Sequence, residues 1–158
     1  MAIHKIDGVD AVDGGSQISH FPKKFVTLHC LGSVTKGDIV MIETDSVTDV
    51  SKNGLGASVV KATCTATTGD EGLAIIGVAT ETLTAAGELK VQVAGKFVDA
   101  NVVNGVTRAE GIVVLDGTAG QGVAWTAATN LTLPFAIALE SADSDNNCDI
   151  MIMDKGFF

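Results

Sequence analysis

The chain predicts an all-β fold, a β-sandwich or partly closed β-barrel built from two similar β-units and preceded by an extended N-terminal arm. Three observations carry that prediction. Short aliphatic and β-branched runs recur along the chain with turn residues between them. Glycine supplies 18 residues and proline two, while the long Glu, Lys, Leu and Arg runs that sustain helices are missing. Finally, the chain says the same thing twice. With 158 residues, 46% of them hydrophobic, one domain with a real core is affordable, and that core must be aliphatic because there are six Phe, one Trp and no Tyr.

Residues 1–24 read as the arm. They show weak periodicity, alternate acids with small residues, and hold Gly8, Gly14, Gly15 and Pro22. The β-domain is expected over residues 25–158. FVTLHC (25–30) alternates Val26, Leu28 and Cys30 against Thr27 and His29, the period of a strand with one face inward. IVMIE (39–43) is continuously apolar, as a strand covered on both faces should be. After the loop SKNGLGAS come ASVVKATCTAT (57–67), the turn TGDEG and LAIIGVATE (73–81). ELKVQVAGKFVDA (88–100) follows, with Gly95 marking a bulge or bend. GIVVLD (111–116), GVAWTA (122–127), PFAIALE (134–140) and CDIMIMD (148–154) complete the set. LTAAGE (83–88) or VTRAEG (106–111) has room for one helical turn and no more.

The repeat spans 33–98 and 105–157. Sliding the chain against itself lays Gly77–Glu81 on Ala136–Glu140, and Leu89, Val91 and Val93 on Cys148, Ile150 and Ile152. Upstream, SVTKGDIV (33–40) resembles GVTRAEGIV (105–113). Each copy reads Val-Thr-base, an acid, an apolar strand, then a strand ending in Glu, then an alternating strand. Neither unit is large enough to bury its own apolar face, so the two should pack together.

Charge narrows the function. The net charge is −9, with ten Lys and Arg spread along the chain. Nucleic acid and anionic membranes both select for clustered cations, so neither is an expected partner. No apolar run approaches the ~20 residues that span a bilayer. The opening MAIHKIDGVDAVDGG lacks a basic region followed by an apolar one, so no signal peptide is expected, and the protein should work in a cytoplasm or in something assembled there. Cys30, Cys64 and Cys148 cannot all pair within one chain and read as buried free thiols.

Motifs for chemistry are scarce. His29 and Cys30 are adjacent on a strand and so point to opposite faces. HExxH, GxSxG and GxxxxGK[ST] are all missing, and GTAGQG (117–122) reads as a hairpin turn. DSDNNCD (143–149) alternates Asp143, Asp145, Asn147 and Asp149 like a calcium loop. Cys148 stands where that loop needs glycine, and Asp154 where it needs Glu. A solvated Asp/Asn turn is the plainer reading. Asn130-Leu131-Thr132 fits a glycosylation acceptor only in a secreted chain. Trp125 reads as a core or inter-unit residue. No catalytic, metal or cofactor residue is assigned, and no cofactor is expected.

GVATETLTAAGELKVQVAGKF, then VTRAEGIVVLDGTAGQGVAWT, then PFAIALESAD before IMIM together resemble the capsid decoration (cement) proteins of tailed bacteriophages. The likeness covers residues 73–154. It implies a protein bound to the outer surface of a phage head, in the virion assembled in the host cytoplasm. There it would act as a homotrimer holding the major capsid protein lattice together. Contacts are then expected from the arm, through Ile3, Ile6, Val9, Phe21 and Phe25, and secondly from Phe157 and Phe158. Two other readings stand beside it: another virion part such as a head-fibre base or tail protein, and a small carbohydrate-binding β-sandwich module.

Overall fold

The structure, a computed structural model, describes residues 22–43, 58–63, 74–114, 119–126 and 133–154. Nine strands run through them: β1 Lys24–Cys30, β2 Ile39–Ile42, β3 Ser58–Lys61, β4 Ile75–Ala79, β5 Gly87–Asn101, β6 Gly111–Val114, β7 Gly122–Ala124, β8 Ala136–Ala138 and β9 Asn147–Ile152. Each falls within, or a residue or two beyond, one of the nine runs read from the sequence. Neither segment with room for a helical turn forms one. Leu83 instead bridges Val34, and Val106 to Gly111 makes a turn leading into β6. Both segments are drawn into pairing that a six-residue helix could not match.

All nine strands belong to one sheet that closes on itself. The order β1-β3-β2-β4-β5 returns to β1, which pairs antiparallel to the first half of β5. The second half of β5 continues through β9, β8 and β6 to β7, and a parallel bridge from Gly122 to Val102 brings this ring back to the end of β5. The fold is therefore two small barrels threaded on one 15-residue strand.

The two rings carry the same ladder. Across β2 and β4, Ile39 faces Val78 and Val40 faces Gly77; across β6 and β8, Gly111 faces Ile137 and Ile112 faces Ala136. Val78 then faces Gln92 and Ala79 faces Val91, while Ile137 faces Met151 and Ala138 faces Ile150. Val26 opposite Val91 is matched by Phe97 opposite Ile150. The parallel contact Cys30–Val59 is matched by Val102–Gly122. The repeated phrases have a physical reason. In the turn before each apolar strand, the acid accepts from the threonine amide: Thr35 N to Asp38 Oδ2 at 2.8 Å, Thr107 N to Glu110 Oε2 at 2.7 Å. The Glu ending each fourth strand accepts from the next strand: Lys90 N to Glu81 at 2.9 Å, Asp149 N to Glu140 at 3.1 Å.

Two cores follow. The first barrel is filled by Val34, Val40, Val59, Ile76, Leu89, Val91 and Val93. Apart from Val59, which answers to Gly122, their ladder counterparts Val106, Ile112, Phe135, Cys148, Ile150 and Ile152 fill the second. That second core also takes in Ile39, Met41, Ile75 and Val78, from the opposite face of β2 and β4. The first barrel thus lays one outer face into the second. Each such side chain buried contributes on the order of 1.5–3 kcal/mol.

Gly95 marks the passage of β5 from one barrel to the other. Its φ of 88° lies in the left-handed region, and a Cβ there would stand 3.0 Å from the Pro22 carbonyl oxygen. Lys24 pairs opposite Ala94, Ile152 pairs opposite Gly95, and an ion pair joins Lys24 to Asp154. The chain accordingly enters and leaves the body beside the middle of β5.

Candidate assembly surface

Because the barrels share one ladder, each surface position in one has a counterpart in the other. Among the described residues the large exposed hydrophobics are Phe25, Val98, Leu133, Ile137 and Met153. They fall into two groups, each at a place where the barrels differ.

The first group lies on the outer face of the second barrel. Ile137 is the ladder counterpart of Val78, which is fully buried between the barrels, yet Ile137 is 39% exposed. Met153 and Leu133, at the ends of the same two strands, are 37% and 74% exposed. Half-buried Pro134 and Trp125 adjoin them, packed over Gly111. The face that the first barrel uses to dock is therefore open on the second at Ile137, while Val113, the counterpart of Met41, is buried there and Gly111, the counterpart of Ile39, lies under Pro134. Exposed apolar surface of this kind marks contact with another body more often than chance.

The second group flanks a cleft of about 230 Å³ where β5 passes between the barrels, lined by Lys23, Phe25, Lys36, Thr80, Gln92, Phe97 and Val98. Gln92 is buried and donates to the Ala94 and Lys96 carbonyls, which fixes the backbone on either side of the bulge. Lys90 stands over the Phe25 ring with Nζ 4.7 Å from its centroid.

Several polar groups among the described residues are occupied by the fold. Asp38, buried at the barrel junction, accepts from Lys61 at 2.8 Å, Asn101 at 3.0 Å and the Thr35 amide. Gly120 donates its amide to Ala62 and accepts from Ile39, so this part of GTAGQG ties barrels together and offers no free amide to a phosphate. In the Asp/Asn segment Asp143 accepts from the Asp145 and Asn147 amides, closing a turn, and Asp149 pairs with Lys96 at 2.7 Å. That hydrogen bond raises the Lys96 pKa above its usual 10.5. No group of three His, Cys, Asp or Glu side chains suited to a metal occurs among the described residues. Cys30 and Cys148 are buried free thiols, and burial pushes the Cys148 pKa up.

Of the expected contact residues, Phe25 lies on β1 at the cleft. Ile3, Ile6, Val9, Phe21, Phe157 and Phe158 lie outside the described residues, as do Cys64 and the Asn130-Leu131-Thr132 acceptor. The sequence reading missed Val98, Ile137, Met153 and Leu133. Its one available signal was apolar residues on both faces of a short strand, as in FAIA and IMIM.

No family profile matches the chain, and no characterised protein matches it in sequence. Among solved structures it is similar to the head fiber gp8.5 N base in bacteriophage phi29, with a TM-score of 0.51 and 12% identity. The similarity covers 84% of this chain and 95% of that one. At such identity the likeness speaks to the fold.

Proposed function

We propose that this protein is a capsid decoration (cement) protein: a homotrimer that binds the outer surface of a phage head and stabilises contacts between major capsid protein subunits. The observation that carries the reading is the fold shared with a phage head component along nearly the whole of that chain. It agrees with the resemblance of residues 73–154 to decoration proteins, which was drawn from sequence phrases alone. In this reading the open face around Ile137 packs against a sister subunit, and the arm and tail reach the shell. A protein that binds the assembled lattice better than loose subunits stabilises it by mass action. Three linked copies gain further through effective concentration, with no single tight contact required. Neither catalysis nor a cofactor enters this function.

The test is electron cryomicroscopy of particles carrying the protein, with co-sedimentation of purified heads. Density at three-fold positions across the shell, lost on deleting residues 1–20 while the body stays folded, is the expected result. Undiminished binding by the truncated protein would remove the arm from the mechanism. A second reading, the base of a head fibre, is favoured by the identity of the structural neighbour. It predicts sparse sites with a projecting fibre instead of uniform coverage.

A further inference from the structure

The cleft beside Phe25 has a composition that the ladder does not require. Phe25 and Lys90 are diagonal neighbours across β1 and β5. Their counterparts across β5 and β9 are Lys96 and Asp149, which close into an ion pair of 2.7 Å. The same position therefore accepts a closed, soluble pair, yet the first barrel keeps an aromatic ring 44% exposed. Val98, 47% exposed, stands beside it. Lys23 and Lys36 line the same cleft, and neither they nor Lys90 forms an ion pair with a described residue. An apolar floor with two lysines in its lining and a third over the Phe25 ring is an odd possession for a chain of net charge −9. It fits an occupant that is both apolar and acidic.

Such a segment lies just upstream in the same chain. Residues 6–14 read Ile-Asp-Gly, Val-Asp-Ala, Val-Asp-Gly, three triplets of apolar, acid and small. In an extended helix with three residues per turn, Ile6, Val9 and Val12 form one row and Asp7, Asp10 and Asp13 a second, at about 3.1 Å per residue. The chain joins the body at Pro22 and Lys23, on the wall of the cleft itself. Between them, GGSQISHF supplies a connector whose paired glycines allow the chain to turn back. A tether that short holds its two ends at millimolar effective concentration, so weak contacts suffice.

We propose that residues 6–13 dock in this cleft on their own subunit, the aliphatic row against Phe25 and Val98 and the aspartates beside Lys23, Lys36 and Lys90. This is the seat of the arm in the free protein, from which it would leave to reach a shell, so the free protein tests the contact apart from any role in a phage head. The full chain carrying Val98→p-benzoylphenylalanine is irradiated, digested with trypsin and mapped by mass spectrometry. The expected product joins position 98 to the peptide spanning residues 6–23, with fragment ions placing the crosslink within residues 6–13; a crosslink confined to Pro22 or Lys23 counts as no capture of the arm. In a mixture of light and nitrogen-15-labelled protein, both partners of each product should carry the same label. The yield should fall at least tenfold for Asp7→Asn/Asp10→Asn/Asp13→Asn, and likewise at ~1 M salt, where the screening length shrinks to about 3 Å. The same photoprobe at Ile137, on the outer face of β8, should not capture that peptide. Mixed-label products would make the occupant a second copy and overturn the proposal. So would no capture of the arm, equal capture from Ile137, or a yield indifferent to the three aspartates.

Discussion

Gly122 is the place to test whether the two barrels interlock as one body. An ideal Cβ added there lies 2.6 Å from Ile112 Cγ2, within the second barrel, and 3.0 Å from Ile39 Cδ1, which reaches across from the first. Comfortable carbon contacts begin near ~3.5 Å. Gly122→Ala should therefore destabilise the fold by about 1–2 kcal/mol, an overpacking cost partly offset by the reduced chain entropy of alanine. Ile39→Val removes the intruding Cδ1 and alone costs about 0.5–1.5 kcal/mol. In the Gly122→Ala background it should cost at least ~0.5 kcal/mol less, because the methyl it removes is one that the new Cβ strikes. Urea unfolding followed by Trp125 fluorescence reads all four proteins, since Trp125 is the single tryptophan and sits at the end of β7. With m near ~2 kcal/mol/M, each kcal/mol moves the midpoint by about 0.5 M. A Gly122→Ala protein as stable as the parent, or strictly additive substitutions, would refute the interlock.

Further outcomes follow from the paired ladders. Ala109 occupies, with φ 72°, the turn position held by Gly37 at φ 94° in the first barrel. Ala109→Gly should raise the unfolding free energy by about 1 kcal/mol, relieving a left-handed alanine, with the urea midpoint as the readout. Lys96, its pKa raised by Asp149, contributes stability that is whole below its unfolded-state value and is lost as pH climbs through the folded one. The parent should thus lose more stability than Lys96→Met above roughly pH 10.5, by no more than ~1 kcal/mol because the side chain is 36% exposed. Unfolding curves from pH 8 to 12 would show it. Ile137→Glu should leave the unfolding free energy within about 0.5 kcal/mol of the parent yet abolish self-association in sedimentation experiments. A persisting trimer would free that face of its proposed role.

Strand identity was legible because short apolar runs between turn residues have few other uses. The phrase Val-Thr-base with a following acid could be found twice because its carboxylate caps a turn that both barrels need. Closure of the rings was not legible. It depends on β1 pairing with both β3 and β5, contacts between distant segments that no local period records. Nor could the sequence reveal that β2 and β4 bury two faces for different reasons, one into their own barrel and one into the next. FAIALE and IVMIE look equally apolar, yet Ile39 is sealed and Ile137 is open. Only the order of packing separates them. Phe25, read as the first residue of a strand and as a contact shared with the arm, is a ladder residue whose exposure has meaning only against Lys96, its counterpart.

The adjacent entry and exit beside Ala94 and Gly95 have a mechanical consequence. A force drawing the two ends apart meets β1 and β9 where they border the bulge, and it peels them from β5 one hydrogen bond after another. Cargo joined directly at residue 22 or residue 154 would hang from a single pole and leave the opposite flank clear. For the same reason, a short linker from residue 154 to residue 22, with a new break at the turn 143–147, should give a circularly permuted body that folds.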